Sequence, residues 1–106
     1  MAADSEFRDR VLDKLAPLEN LSWRSMFGGF GIFAEASMFG LISGSSLFFK
    51  VDDSNLAAYE EVGSSKHGPM PYYRVPEAIL EDNARLLEWA HASVTVAQAK
   101  PKKKKG

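Results

Sequence analysis

The sequence predicts an α+β domain in which an antiparallel sheet of four to five strands is flanked by helices, in the order α-β-β-β(-β)-α-β-α. Two observations lead to this prediction. Near both ends of the chain, apolar residues recur every three or four positions, which is the spacing of amphipathic helices. Between residues 22 and 52, short apolar and aromatic runs are separated by turns containing glycine or serine, which is typical of hairpins.

The composition indicates a single globular unit. The chain has 106 residues, of which 45% are hydrophobic and 25% are charged. We assign residues 1–99 to one domain and residues 100–106, which contain five lysines, to a disordered tail. The absence of cysteine excludes disulfides, thiolate nucleophiles and cysteine-based zinc sites. Because the sequence has no long apolar run and no secretory signal, we expect a cytoplasmic location and no membrane association.

The lysines of the tail conceal an acidic body. The whole chain has 13 basic and 14 acidic residues, whereas the 99 residues before the tail have 8 basic and 14 acidic side chains, a formal charge of −6. A body of that sign repels a phosphate backbone at long range. We therefore expect nucleic acid to bind at most weakly, through the tail.

A helix and a meander of strands fill the first half of the chain. Apolar residues at positions 7, 11, 15 and 18 predict the helix, with Ser5 or Asp4 as its N-cap and Pro17 at its end. The turns between the following runs are too short for parallel crossovers, so the strands pair antiparallel. The predicted strands are Trp23–Phe27, Gly31–Ala34, Met38–Ser43 and Leu47–Val51.

Alternation along these strands predicts apolar side chains on both faces of the sheet. In the third strand it places Phe39 and Leu41 on one face. In the fourth strand it places Phe48 and Lys50 on the face opposite Leu47. Helices can cover one face of such a sheet, so another segment or a partner has to cover the other.

The second half of the chain predicts a helix, a strand and a longer helix. Cap-type residues at positions 52–55 precede the first helix, which ends at Gly63. Asp82 or Asn83 caps the last helix, whose apolar residues form a buried stripe. These predictions cover Leu56–Val62 for the first helix, Met70–Val75 for the strand, and Leu86, Leu87, Ala90, Val94 and Ala97 for the stripe.

No constellation of residues indicates an enzyme. Gly29–Ala34 matches the G-x-G-x-x-A pattern of dinucleotide-binding turns, but strand-forming residues follow where that motif requires a helix. His67 and His91 have neither a nucleophile nor further metal ligands at a suitable spacing. We therefore predict no catalytic residues, no cofactor and no metal site.

An aromatic and basic grouping is the best candidate for intermolecular contacts. The segment 72–74, Tyr-Tyr-Arg, is predicted to lie near Phe48 and Lys50. Such a grouping can stack on nucleic-acid bases, but the acidic body and the usual role of aromatic strand residues favour a protein interface. The predicted interaction surface is Phe48, Lys50, Tyr73 and Arg74.

Several stretches, in order, resemble the TfoX/Sxy N-terminal domain family. They are Arg24–Phe33, Met38–Ile42, Leu47–Asn55, Tyr72–Glu77, Leu80–Asp82 and Leu87–Ala90, and the resemblance spans about residues 5–97. It implies a secretion-chaperone-like fold, no enzymatic activity and no cofactor. Bacterial regulators of this family promote transcription of competence genes together with the cyclic-AMP receptor protein, so the resemblance also implies a protein partner.

The chain departs from the family pattern in two ways. The regulators are roughly twice this length and have a second helical domain, so we treat the chain as a single-domain relative. Family members usually have a Pro-Phe-x-Tyr strand before the Tyr-Tyr segment, whereas here residues 64–71 alone separate Gly63 from Tyr72. We expect that strand to be shortened or lost, which would leave the sheet edge more open.

Two functional hypotheses follow. The first is a non-enzymatic, cytoplasmic interaction module in transcriptional regulation, which docks through its sheet or open edge. Homodimerisation is expected because apolar residues occupy both faces. The alternative is a protein that binds nucleic acid without sequence specificity through its basic C-terminal tail.

Overall fold

One antiparallel sheet of five strands and four helices make up the described part of the protein. The structure is a computed structural model that describes residues 5–26 and 28–99; Asp4, Phe27 and the predicted tail at 100–106 lie outside the described residues. The elements are α1 (Ser5–Lys14), β1 (Leu21–Met26), β2 (Gly29–Ala34), β3 (Ser37–Ser43), β4 (Ser46–Lys50), α2 (Leu56–Glu61), β5 (Tyr72–Arg74), α3 (Glu77–Leu80) and α4 (Asn83–Gln98). The strands follow one another in the sheet as β1-β2-β3-β4-β5. The predicted α+β class and antiparallel sheet are confirmed, and α3 is an additional short helix.

The helices bury one face of the sheet. The apolar residues at positions 7, 11, 15 and 18 are all buried, the last two just after the end of α1. The helix ends before Pro17, as expected. In α4, Asp82 is the N-cap, and its side chain accepts a hydrogen bond from the Arg85 backbone N–H (3.3 Å). Of the predicted stripe, Leu86 and Ala90 are buried and the rest are partly buried. Two further residues of α4, Ser93 and Val96, are buried although they are not part of the predicted stripe.

An irregularity in β3 decides which side chains face the helices. The register with β2 shifts after Ile32, where Phe39 is an extra residue between the paired positions Met38 and Gly40. A bulge of this kind interrupts the strict alternation of side chains. Phe39 therefore joins the helix-covered core while Leu41 lies on the other face. The prediction that Phe39 and Leu41 share a face is wrong for this reason.

The loop between α2 and β5 covers part of the second face. Leu41, Phe48 and Tyr72 form a small buried cluster there, and Met70 from the loop packs on it. The His67 ring lies 4.6 Å from the Phe48 ring, centroid to centroid. This loop is the covering segment that the apolar second face required.

The same loop also pairs with the β5 edge. The Arg74 N–H donates to the Ser65 carbonyl (2.9 Å), and the His67 N–H donates to the Tyr72 carbonyl (2.8 Å). The family strand expected here is reduced to a single bridge, Lys66 with Tyr73, as the short spacing predicted. The prediction of a more open edge is wrong at β5, because residues 65–67 occupy it.

Residues 52–55 connect the end of β4 to the start of α2. The Asn55 side chain donates to the Lys50 carbonyl (3.1 Å) and accepts from the Asp52 backbone N–H (2.8 Å). Asn55 is the N-cap residue of α2 by position, but its side chain makes no capping hydrogen bond to the helix. These bonds tie the start of α2 to the end of β4.

Tyr59 of α2 places a hydroxyl in the core without a hydrogen-bond partner. Its ring lies 4.6 Å from the Trp89 ring and 5.8 Å from the Tyr73 ring. The nearby Ser93 hydroxyl donates to the Lys50 carbonyl instead (2.7 Å). Burial raises the pKa of Tyr59 well above its ordinary value.

We predict that Tyr59→Phe increases the free energy of unfolding by about 1 kcal/mol, because it removes an unpaired buried hydroxyl. Chemical denaturation at neutral pH measures this change, with Tyr73→Phe as the control. Because the unfolded tyrosine ionises near pH 10.0 and the folded one at higher pH, stability should fall as the pH rises above 10.0. That loss should be smaller in Tyr59→Phe. A clear loss of stability at neutral pH in Tyr59→Phe would show that the hydroxyl has a partner.

Two buried strand glycines provide a matched test of the β2–β3 packing. A Cβ added at Gly29 would overlap the Ile42 carbonyl of β3, whereas a Cβ at Gly40 would make ordinary contacts at 3.5 Å. We expect Gly29→Ala to lower the free energy of unfolding by at least about 2 kcal/mol and Gly40→Ala by less than about 1 kcal/mol. Equal effects in thermal and denaturant unfolding would contradict this packing.

Candidate interaction surface

The structure brings together three of the four residues predicted for the interaction surface. Phe48 pairs with Arg74 and Lys50 pairs with Tyr72 across β4 and β5, so their side chains share the face without helices. Tyr73 lies on the opposite face, where its ring contacts Tyr59 and the helix-covered core. Tyr72, and not Tyr73, is therefore the tyrosine of β5 that lies on the face of Phe48.

These three residues differ in how much they are available to a partner. Phe48 is 8% exposed because His67 covers its ring. Lys50 is half-buried, and its carbonyl accepts hydrogen bonds from Asn55 and Ser93. Arg74 is exposed. The loop after α2 therefore covers Phe48, whereas Lys50 is partly accessible and Arg74 is accessible to a partner.

The uncovered part of this face lies over β1, β2 and β3. Four residues there are exposed or half-buried, and we call them the open patch: Arg24, Met26, Phe33 and Met38. The Arg24 guanidinium lies 5.0 Å from the centre of the Phe33 ring, a cation–π distance. The patch combines apolar side chains with one positive charge.

A glycine allows the two methionines of the open patch to lie close to the sheet. A Cβ at Gly31 would meet the Met26 sulfur at 2.8 Å and the Met38 methyl at 3.3 Å. Both side chains therefore cross the space above Gly31. Methionine adapts its shape easily to a bound surface, which suits an interface. The strand pattern in the sequence does not single out this patch, although Met26, Met38 and Phe33 are visible apolar signals.

The edge strand β1 adds an exposed aromatic residue beside the patch but on the helix-covered face. Trp23 is 43% exposed, and its ring stands edge-on to Phe30 at 5.4 Å. The Arg8 guanidinium of α1 lies 4.2 Å from the Trp23 ring centre and pairs with Asp9 at 2.8 Å. The Trp23 ring therefore contacts Phe30 and Arg8, and the rest of its surface is exposed to solvent.

A cleft of about 430 Å³ opens between α1, the turn after β3 and the segment from β5 to α3. Its floor is apolar, and Lys14 on its rim donates a hydrogen bond to the Asn83 side-chain oxygen (3.3 Å). Because the rim has charges of both signs, it favours no single class of charged ligand. The charged rim residues are Arg10, Lys14, Arg74, Glu77 and Glu81.

A second cleft, of about 390 Å³, is lined by His91 and Glu35 among others. No group of three histidine, cysteine, aspartate or glutamate side chains within residues 5–26 and 28–99 could hold a metal ion. His91 is exposed on α4, and His67 packs on Phe48. Among the same residues, no helix is both long and apolar enough to cross a bilayer.

Comparison with known proteins identifies the family. The sequence model of the TfoX N-terminal domain matches residues 13–97, which is most of the chain. The protein therefore belongs to the TfoX N-terminal domain family, as the ordered motifs predicted. A search of curated proteins found none that matches the chain. Family membership suggests a regulatory role related to competence.

Proposed function

We propose that this protein is a non-enzymatic, cytoplasmic interaction module that takes part in transcriptional regulation of competence genes and binds a protein partner through the open patch. One observation carries the proposal: none of residues 5–26 and 28–99 covers the apolar side chains and Arg24 over β1–β3, although the same face is covered over β4 and β5. Neighbouring exposed apolar side chains with a polar rim mark a candidate protein interface.

A protein partner suits the open patch better than nucleic acid does. Arg24 is the one cation of the patch, and it already lies over the Phe33 ring, where a base would have to stack. The 99 residues before the tail have a formal charge of −6, so the patch belongs to a body that repels phosphates. Non-specific binding through residues 100–106 stays an alternative, and those residues lie outside the described ones.

The resemblance to competence regulators supports a transcription factor as the partner, with the cyclic-AMP receptor protein as the first candidate. The partner surface that fits is apolar with an acidic residue positioned for Arg24. An acid at that place would keep the Arg24 charge paired when water is excluded, which an uncharged surface would not do. The role proposed here requires no turnover by the chain itself.

We predict that Arg24→Glu weakens binding to the purified cyclic-AMP receptor protein of the same host by about tenfold or more, because it places an acid opposite an acid. Arg85→Glu is the matched control, since Arg85 is also exposed but lies on α4, away from the patch. Titration calorimetry gives the affinities. Transcription from a receptor-dependent promoter, reconstituted with purified components, gives the functional effect.

The outcomes separate the proposal from its alternative. Equal binding by Arg24→Glu and Arg85→Glu would contradict docking at the open patch. Removal of residues 100–106 should leave protein binding unchanged. If removal of those residues instead abolishes all binding, and the affinity for DNA falls steeply with salt, the tail alternative is correct.

A further inference from the structure

We infer that β1 pairs with β1 of a second copy of this chain, so that two sheets join into one continuous antiparallel sheet. The two edges of the sheet differ in how they are paired. At β5, residues 65–67 form hydrogen bonds with the edge through Arg74 and Tyr72. At β1, no backbone group of the described residues pairs with the outer side of the strand. The described part of the chain thus covers the β5 edge and leaves the β1 edge unpaired.

The β1 strand also lacks most of the features that normally protect an edge. Proteins shield exposed edges with proline, charged side chains (lysine above all), bulges or very short strands, and Arg24 is the one charged residue of β1. β1 has six residues, contains neither proline nor lysine, and pairs with β2 in a regular register throughout. Its four central residues are exposed. Such a strand is a template for the addition of another strand.

The β1–β2 hairpin identifies which backbone groups are available. Met26 pairs with Gly29 beside the turn, and at the far end the Glu35 N–H donates to the Asn20 carbonyl (3.2 Å). Hydrogen-bonded positions alternate along an antiparallel pair, so the even-numbered residues of β1 bond to β2. The residues that direct their N–H and C=O groups outward are Leu21, Trp23 and Ser25.

A two-fold axis through Trp23 uses all three outward positions. Trp23 then pairs with its counterpart, and Leu21 of each copy pairs with Ser25 of the other, with two backbone hydrogen bonds exchanged in each pair. On the open face, Arg24 lies opposite Ser22 of the second copy. An axis through Arg24 would instead oppose two like charges. The strand is therefore self-complementary in one register, which favours a second copy as the occupant.

Trp23 supplies the apolar contact between the two copies. Its ring is already positioned by Phe30 and Arg8, so little conformational freedom is lost when it is buried. Asp9 pairs with Arg8, so the meeting of two Arg8 side chains near the axis adds no unpaired charge. Tryptophan is also among the residues most often found as interface anchors.

The charge of the 99 residues before the lysine tail gives this contact a distinctive salt dependence. Two bodies of formal charge −6 repel each other, so screening by salt should strengthen pairing through β1. Contacts between the lysine tail of one copy and the acidic body of another would weaken with salt. The sign of the salt effect therefore distinguishes the two modes of self-association.

Sedimentation velocity on the full chain tests the inference. We expect a concentration-dependent monomer–dimer equilibrium that Ser25→Pro and Trp23→Lys each weaken by at least about tenfold. The Ser25 N–H points away from β2, so proline there costs no hydrogen bond within the fold, and circular dichroism checks that both variants fold. Val62→Lys is the control, because Val62 is 50% exposed but lies at the end of α2.

Amide hydrogen exchange on the unaltered chain gives a second readout. The Trp23 and Ser25 amides should exchange more slowly as the concentration rises, while the Ser22 and Arg24 amides are protected at all concentrations. A chain that stays monomeric at its highest soluble concentration overturns the inference. Dimerisation that survives Ser25→Pro, or that weakens with salt, overturns it as well. None of these outcomes depends on the partner proposed for the open patch.

Discussion

The sheet has apolar side chains on both faces, and the helices are sufficient to bury one of them. α1 and α4 build the main core on that face around residues such as Phe39, Phe49 and Leu86. On the other face, the loop after α2 buries the cluster of Leu41, Phe48 and Tyr72. No described residue covers the region over β1–β3 in this way. The open patch exists because the helices and the loop together cover less apolar surface than the sheet presents.

The bulge at Phe39 determines how the two faces are divided. By inserting one residue, it turns Phe39 toward the helices and Leu41 toward the loop, so that both faces receive a large apolar side chain from β3. Without the bulge, one of these side chains would lie on the wrong face for its neighbours on β4. The helix-covered core and the smaller cluster are therefore linked through a single backbone irregularity.

The open patch and the β1 edge adjoin but use different chemistry. The patch presents side chains, with Arg24 lying over Phe33, and suits a partner with an apolar and acidic surface. The edge presents backbone groups beside Trp23 and suits another strand. Pairing of two copies along β1 would place their open patches side by side on one sheet, so the two surfaces are compatible rather than competing.

Local patterns in the sequence determined the class of fold, the α1 core positions, the Asp82 cap and the family, because these depend on neighbouring residues and on short spacings. They did not determine the faces of Phe39 and Tyr73, the closed β5 edge, or the open patch. Those features depend on the pairing register and on where the loop after α2 lies. Register and loop placement arise from contacts between residues distant in sequence, so only the tertiary structure decided them.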